Sequence, residues 1–287
     1  MKLCLQIGLL AGLSAVLLPA DASYTQVTKF TGGTAVEMAK KMANMPLIGR
    51  MGGGAMREAF EDQHYDVYVK GNKMARLGGM ISTIYDLDAG TITTINNTKQ
   101  TYTTMTFDEM REQIERMQQR MNRKHSGGGN LQFDTKVEKT GQARTIDGQN
   151  ATETLITMTA KGDSESGSGQ MVVKTHAWLV QLSAPTRELV DFSRRLGEKF
   201  AYAYGSSPMM GAAAGGLGAA MKEAFSQDGY PVETDVEVSG VSGPMGGGDP
   251  SAPFMQMETQ SSHFATGAVD AAKFSVPAGY KEEKRRH

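Results

Sequence analysis

The chain has 287 residues, 39% hydrophobic and 7% aromatic, enough to bury a core without being rich in one. Its 30 basic and 31 acidic residues leave a net charge of −1, so no positive excess awaits a polyanion and nucleic acid is not expected as a partner. Glycine (34 residues) and methionine (20 residues) are both in surplus.

Residues 1–22 read as a secretory signal peptide. Met1-Lys2 supplies a positive start, Leu5 to Leu18 an apolar run, and Ala20-Asp21-Ala22 a small-x-small cleavage site before Ser23. The run is shorter than the ~20 residues a membrane span needs. The single cysteine, Cys4, lies ahead of this run, where a lipidated cysteine would follow it. Cleavage would therefore leave no cysteine, excluding thiol catalysis, thiolate zinc sites and disulfides from the mature chain. The expected organisation is a signal peptide over 1–22 and one domain over 23–287, soluble in the periplasm or secreted.

Ala35 to Met45 is a short helix candidate with a Met and Ala face, followed by Gly-rich sequence holding Met51 and Met56. His64 to Lys70 alternates, with Tyr65, Val67 and Val69 on one face and His64, Asp66 and Lys70 on the other. Gly71-Asn72 fits a two-residue hairpin turn into Lys73 to Leu77. Ile81 to Leu87, Thr91 to Ile95 and Thr101 to Met105 continue an antiparallel meander. Thr106-Phe107-Asp108-Glu109 is a capping box, and Phe107, Met110, Ile114, Met117 and Met121 recur at spacings of three and four. That pattern predicts an amphipathic helix stopping at Ser126 to Gly129.

Further alternation follows at Leu131, Phe133, Thr135 and Val137, at Val232 to Val238, and at Met255 to Thr259. Between these, a helix is predicted from Pro185-Thr186 with Leu189, Phe192, Leu196, Phe200 and Tyr204 on one side. Gly218 to Phe225 is a further helix candidate. Gly162 to Gln170, Gly205 to Gly218 and Ser239 to Pro253 read as loose connectors. Alternating strands have one wet and one buried face, so the pattern predicts an α+β fold, a single layer of sheet covered on one side by amphipathic helices.

Few residues suggest chemistry. No two of His64, His125, His176, His263 and His287 have the close spacing of a zinc helix or finger. Gly-x-Ser-x-Gly is absent, and Gly211 to Gly218 lacks the Lys-Ser/Thr end of a phosphate-binding loop. The methionines fit gap-filling in a core or an adaptable apolar cavity; those in the loops also allow soft-metal ligation.

Five motifs stand in order along these elements: Tyr68-Val69-Lys70-Gly71-Asn72-Lys73-Met74, Ile84-Tyr85-Asp86-Leu87-Asp88 with Tyr102, Ala177-Trp178-Leu179-Val180, Gly229-Tyr230-Pro231-Val232, and the closing Phe274-Ser275-Val276-Pro277-Ala278-Gly279-Tyr280. With the order of elements, they resemble an exported family, the domain of unknown function 4412, within the superfamily of periplasmic lipoprotein carriers (LolA/LolB-like). The resemblance implies an incomplete, strongly curved antiparallel barrel whose concave face is covered by helices, and in relatives that cavity takes acyl chains. No functional residue is carried over from it.

The resulting expectation is a non-enzymatic binding or carrier protein for a lipid or other apolar molecule, without cofactor or catalytic residues. Envelope lipoproteins or a membrane surface are further candidate partners. Tyr65, Val67, Ile84, Tyr102, Phe107, Ile114 and Met117 are the predicted cavity-lining residues. The alternatives are a Cu(I) or Ag(I) buffer using Met51, Met56, Met209 and Met210, and a structural envelope module with a filled core.

Overall fold

In a computed structural model, residues 21–43, 60–124, 131–162, 170–204, 229–240 and 252–283 are described. Their organising feature is one twelve-stranded sheet, antiparallel throughout except at one edge and not closed into a barrel. The strands are β1 (Ala22–Gly32), β2 (Gln63–Lys70), β3 (Lys73–Gly78), β4 (Ile81–Asp86), β5 (Thr91–Asn96) and β6 (Thr101–Thr106). They continue as β7 (Leu131–Ile146), β8 (Gln149–Gly162), β9 (Gln170–Val180), β10 (Tyr230–Ser239), β11 (Met255–Thr266) and β12 (Lys281–Glu282). Spatial order is β12-β6-β5-β4-β3-β2-β1-β11-β10-β9-β8-β7. The expected meander is thus one half, and β1 joins it to a second half built from β7 to β11. Alternation had marked β7, β10 and β11; β1, β8, β9 and β12 are added by the structure.

Among the described residues, three α-helices accompany the sheet: α1 (Thr34–Ala43), α2 (Phe107–Lys124) and α3 (Ala184–Tyr204). The predicted capping box forms at α2, where the Thr106 N–H donates to Glu109 Oε2 (2.8 Å) and the Glu109 N–H donates to Thr106 Oγ1 (3.0 Å). At α3, buried Thr186 accepts the Ser183 N–H at 2.8 Å. α1 begins where Thr34 and Ala35 donate to the carbonyls of Pro253 and Phe254, and it buries Val36 and Ala39 beside β1 and β11. The helix candidate over 218–225 lies outside the described residues.

Register sorts the side chains. Val69 faces Met74, Met74 faces Tyr85, Tyr85 faces Ile92 and Ile92 faces Met105, so these residues share one side of the meander. On that side α3 packs against β1 and β2, and Leu189 and Phe192 join Ala22, Tyr24, Val67, Val69, Leu87 and Phe107 in a buried cluster. The opposite side is not left wet, contrary to the expectation of cover on one side. Ala75, Ile84 and Ile95 are buried there against Leu77, Tyr102, Phe274, Val276 and Tyr280. The segment from the 3-10 turn Ala271–Phe274 to β12 crosses this side and ends by pairing Lys281 and Glu282 in parallel with Thr101 and Tyr102. Alternation in β4 reads as wet and dry faces, but Ser82 and Ile84 are buried on one side while Tyr85 joins the cluster on the other.

Strand β1 starts inside the predicted cleavage region. Ala22 has no exposed surface and pairs with Val69 and Thr266. Asp21 Oδ2 accepts from the Val269 N–H (2.8 Å) and ion-pairs with Lys70 Nζ (3.1 Å). A chain beginning at Ser23 would lack both residues. No helix among the described residues is long and apolar enough to cross a membrane.

Candidate functional site

The helix-facing side of the meander is the site toward which the sequence points. Apolar residues three or four apart on α3 give Leu189, Phe192, Leu196 and Phe200 a common face. The first two are buried and the last two half-buried, so the helix is most firmly seated at its start. Phe107, the first residue of α2, is buried and meets Phe200 edge-on, with ring centroids 5.8 Å apart. α2 otherwise runs along α3 and touches β6. Arg195 fastens α3 to the rim: its Nη2 donates to the Gly71 carbonyl of the β2–β3 turn at 3.0 Å and lies 3.5 Å from Glu188 Oε1.

Of the predicted lining residues, Val67 and Phe107 come together in this cluster, and Tyr65 packs at its margin. Ile114 is buried on α2. Met117 lies in α2, but its side chain is outside the described residues, as are Met51, Met56, Met209 and Met210. Ile84 and Tyr102 are separated from the others: cross-strand pairing puts both on the opposite side of the sheet, under the C-terminal segment.

Two open pockets lie away from the helix pair. One, of about 360 Å³, runs beside Tyr65 between Glu61, Asp62 and His64 and the Gly78–Ile81 turn. Arg76 stacks its guanidinium 3.4 Å above the Tyr65 ring there, and Tyr65 OH donates to Gln63 Oε1 at 2.6 Å. The other, of about 290 Å³, is polar and includes Lys174, His176, Asp235, Glu237 and Gln256.

Next to the second pocket is a polar cluster that sequence reasoning missed. Glu153 on β8 is 6% exposed and accepts from Thr140 Oγ1 (2.6 Å) and His176 Nδ1 (2.7 Å). Burial alone would raise its pKa; the bonds from Thr140 and His176, with the positive charge of Arg144, outweigh burial and hold it below the ordinary glutamate value. Arg144 stacks 3.9 Å above the Trp178 ring and pairs with Glu233. Nothing in the spacing of residues 140, 153 and 176 announces this arrangement; only β7, β8 and β9 lying side by side brings them together. No group of three or more His, Cys, Asp or Glu residues suited to a metal ion occurs among the described residues.

No family model matches the chain, and no curated protein matches it. A solved structure described as PNGF-II in C2 space group is similar at 8% identity and a TM-score of 0.31, over 92% of this chain. The chain covers 31% of the length of that structure, and a score at that level does not imply a shared topology.

Proposed function

We propose that the protein is an exported, non-enzymatic binding or carrier protein for an apolar ligand such as a lipid acyl chain, related to the domain of unknown function 4412 and the lipoprotein carriers. The observation that carries this reading is the apolar seat of α2 and α3. Leu189, Phe192 and Phe107 meet Val67 and Val69, and the second half of α3 is less deeply buried than its start. An acyl chain offers the same chemistry as the side chains it would displace, at roughly 0.8 kcal/mol per buried methylene. Its place would be between the helix pair and the concave side of the sheet, lined by Tyr65, Val67, Phe107, Ile114 and Met117. The ligand enters as the outer turns of the helices lift, so the space is made by the ligand rather than standing open beforehand.

A second reading, a structural envelope module with a filled core, draws on the complete burial of Phe192 where α3 meets the sheet. The two separate on one experiment. The exported protein is purified without detergent, denatured, and its extract analysed by mass spectrometry, alongside fluorescent fatty-acid titration of the emptied protein and of Ile114→Glu. Saturable uptake that Ile114→Glu abolishes, with its thermal transition still cooperative, supports the carrier. Absence of uptake by a folded wild-type protein favours the structural module.

A further inference from the structure

The two edges of the sheet are unlike. At one end β6 is blunted by the two-residue β12; at the other, β7 is sixteen residues long and no described strand pairs with its outer side. A long edge exposes a row of unpaired backbone donors and acceptors, and proteins usually guard it with proline, a bulge or lysine. Between Asp134 and Thr140, β7 has no proline and stays in register as far as Lys139, the shift falling between Lys139 and Ala143. Of its two lysines there, Lys136 is answered on the same strand by Glu138, with Nζ and Oε1 2.9 Å apart, and Lys139 is likewise engaged with a neighbouring group. Lys136 and Glu138 are exposed. The edge is thus lined by a plus–minus pair and not by a repelling row.

We infer that β7 is a self-association edge, pairing antiparallel with β7 of a second copy about a two-fold axis at Val137. A two-fold normal to the sheet requires one residue to face itself. With Val137 on the axis, Lys136 faces Glu138 of the second copy and Glu138 faces Lys136, while Asp134 meets Thr140 and Thr135 meets Lys139. Moving the axis to Lys136 or Glu138 sets like charges opposite each other, which cross-strand pairing disfavours. Val137 lies opposite Ile156 on β8, so the join would extend the sheet from one copy into the other with the side chains of both on matching faces.

The test uses charge reversal at exposed positions, measured by sedimentation equilibrium of the mature chain at low salt over a concentration series. Wild type should dimerise. K136E carries two acidic residues at the join and E138K two basic ones, so each should associate about tenfold or more weakly than wild type. An equimolar mixture of K136E and E138K should recover wild-type affinity as a heterodimer, because the opposite charges face each other again. A wild-type protein that stays monomeric overturns the inference. So do single variants that dimerise like wild type, or a mixture that associates no better than its components.

Discussion

Glu153 on β8 accepts a hydrogen bond from His176 Nδ1 on β9 at 2.7 Å, and Thr140 from β7 closes its other oxygen at 2.6 Å. Three neighbouring strands are thereby tied through one buried carboxylate. Because its pKa is depressed in the fold, its contribution to stability is complete above the unfolded value of about 4.3 and is lost as pH falls through the folded value. Glu153→Gln keeps the shape but removes the charge. It should cost about 1–3 kcal/mol near neutral pH and flatten the acid side of the stability profile. Urea midpoints measured from neutral pH down through the carboxylate range would check this; parallel wild-type and variant profiles would count against it.

Phe192 has no exposed surface and sits where α3 meets the sheet. Phe192→Ala should destabilise the protein by about 3–5 kcal/mol through lost burial and a cavity. Urea unfolding followed by tryptophan fluorescence measures this cost, the sole Trp178 lying in the other half of the sheet.

The C-terminal segment is a structural cover for the outer side of the meander. Phe274, Val276 and Tyr280 pack on Ala75, Ile84 and Ile95, and Tyr280 OH reaches Asn97 at 3.3 Å. Ending the chain after Asp270 should raise amide hydrogen exchange in β4, β5 and β6 well before β8 and β9. Uniform exchange across all five strands would show that the segment is not a local cover.

Gly240 has φ +76°, and a Cβ there would stand 1.8 Å from the Gln170 carbonyl oxygen. Gly240→Ala should therefore cost on the order of 1–3 kcal/mol and part the adjoining ends of β9 and β10. Thermal unfolding gives the cost, and a transition unchanged from wild type would refute the close approach.

Asp21 anchors the start of β1 to Lys70 and Val269. If the protein is exported as proposed, its mature form should begin at Asp21, directly after the small residue Ala20, so that the ion pair and buried Ala22 are kept. Intact-mass measurement of the exported protein distinguishes this from a start at Ser23. Asp21→Ala should lower stability by about 0.5–1.5 kcal/mol, the worth of an exposed-edge hydrogen bond with its ion pair.

The local grammar of the chain was readable. The capping box at Thr106 and Glu109 formed as its spacing required, Gly71-Asn72 turned the hairpin, and the stripe on α3 found the buried side of the sheet. Each depends on contacts within a few residues, where periodicity and turn chemistry act directly. The candidate lining was legible only in part, since Val67 and Phe107 cluster while Ile84 and Tyr102 do not. Alternation states that neighbours along a strand point to opposite sides; it does not say which side the helices take when both are apolar.

What the sequence by itself determined was therefore the alternating strands, the helix ends and the balanced charge, all set by short-range sterics and hydrogen bonding. Strand order, the second cover over Ile84, the Glu153–His176 bond and the place of β7 at the end of the described strands were decided by tertiary structure alone. They arise when distant strands are laid side by side, and pairing between residues far apart in the chain is fixed by the burial of the whole sheet rather than by any local pattern.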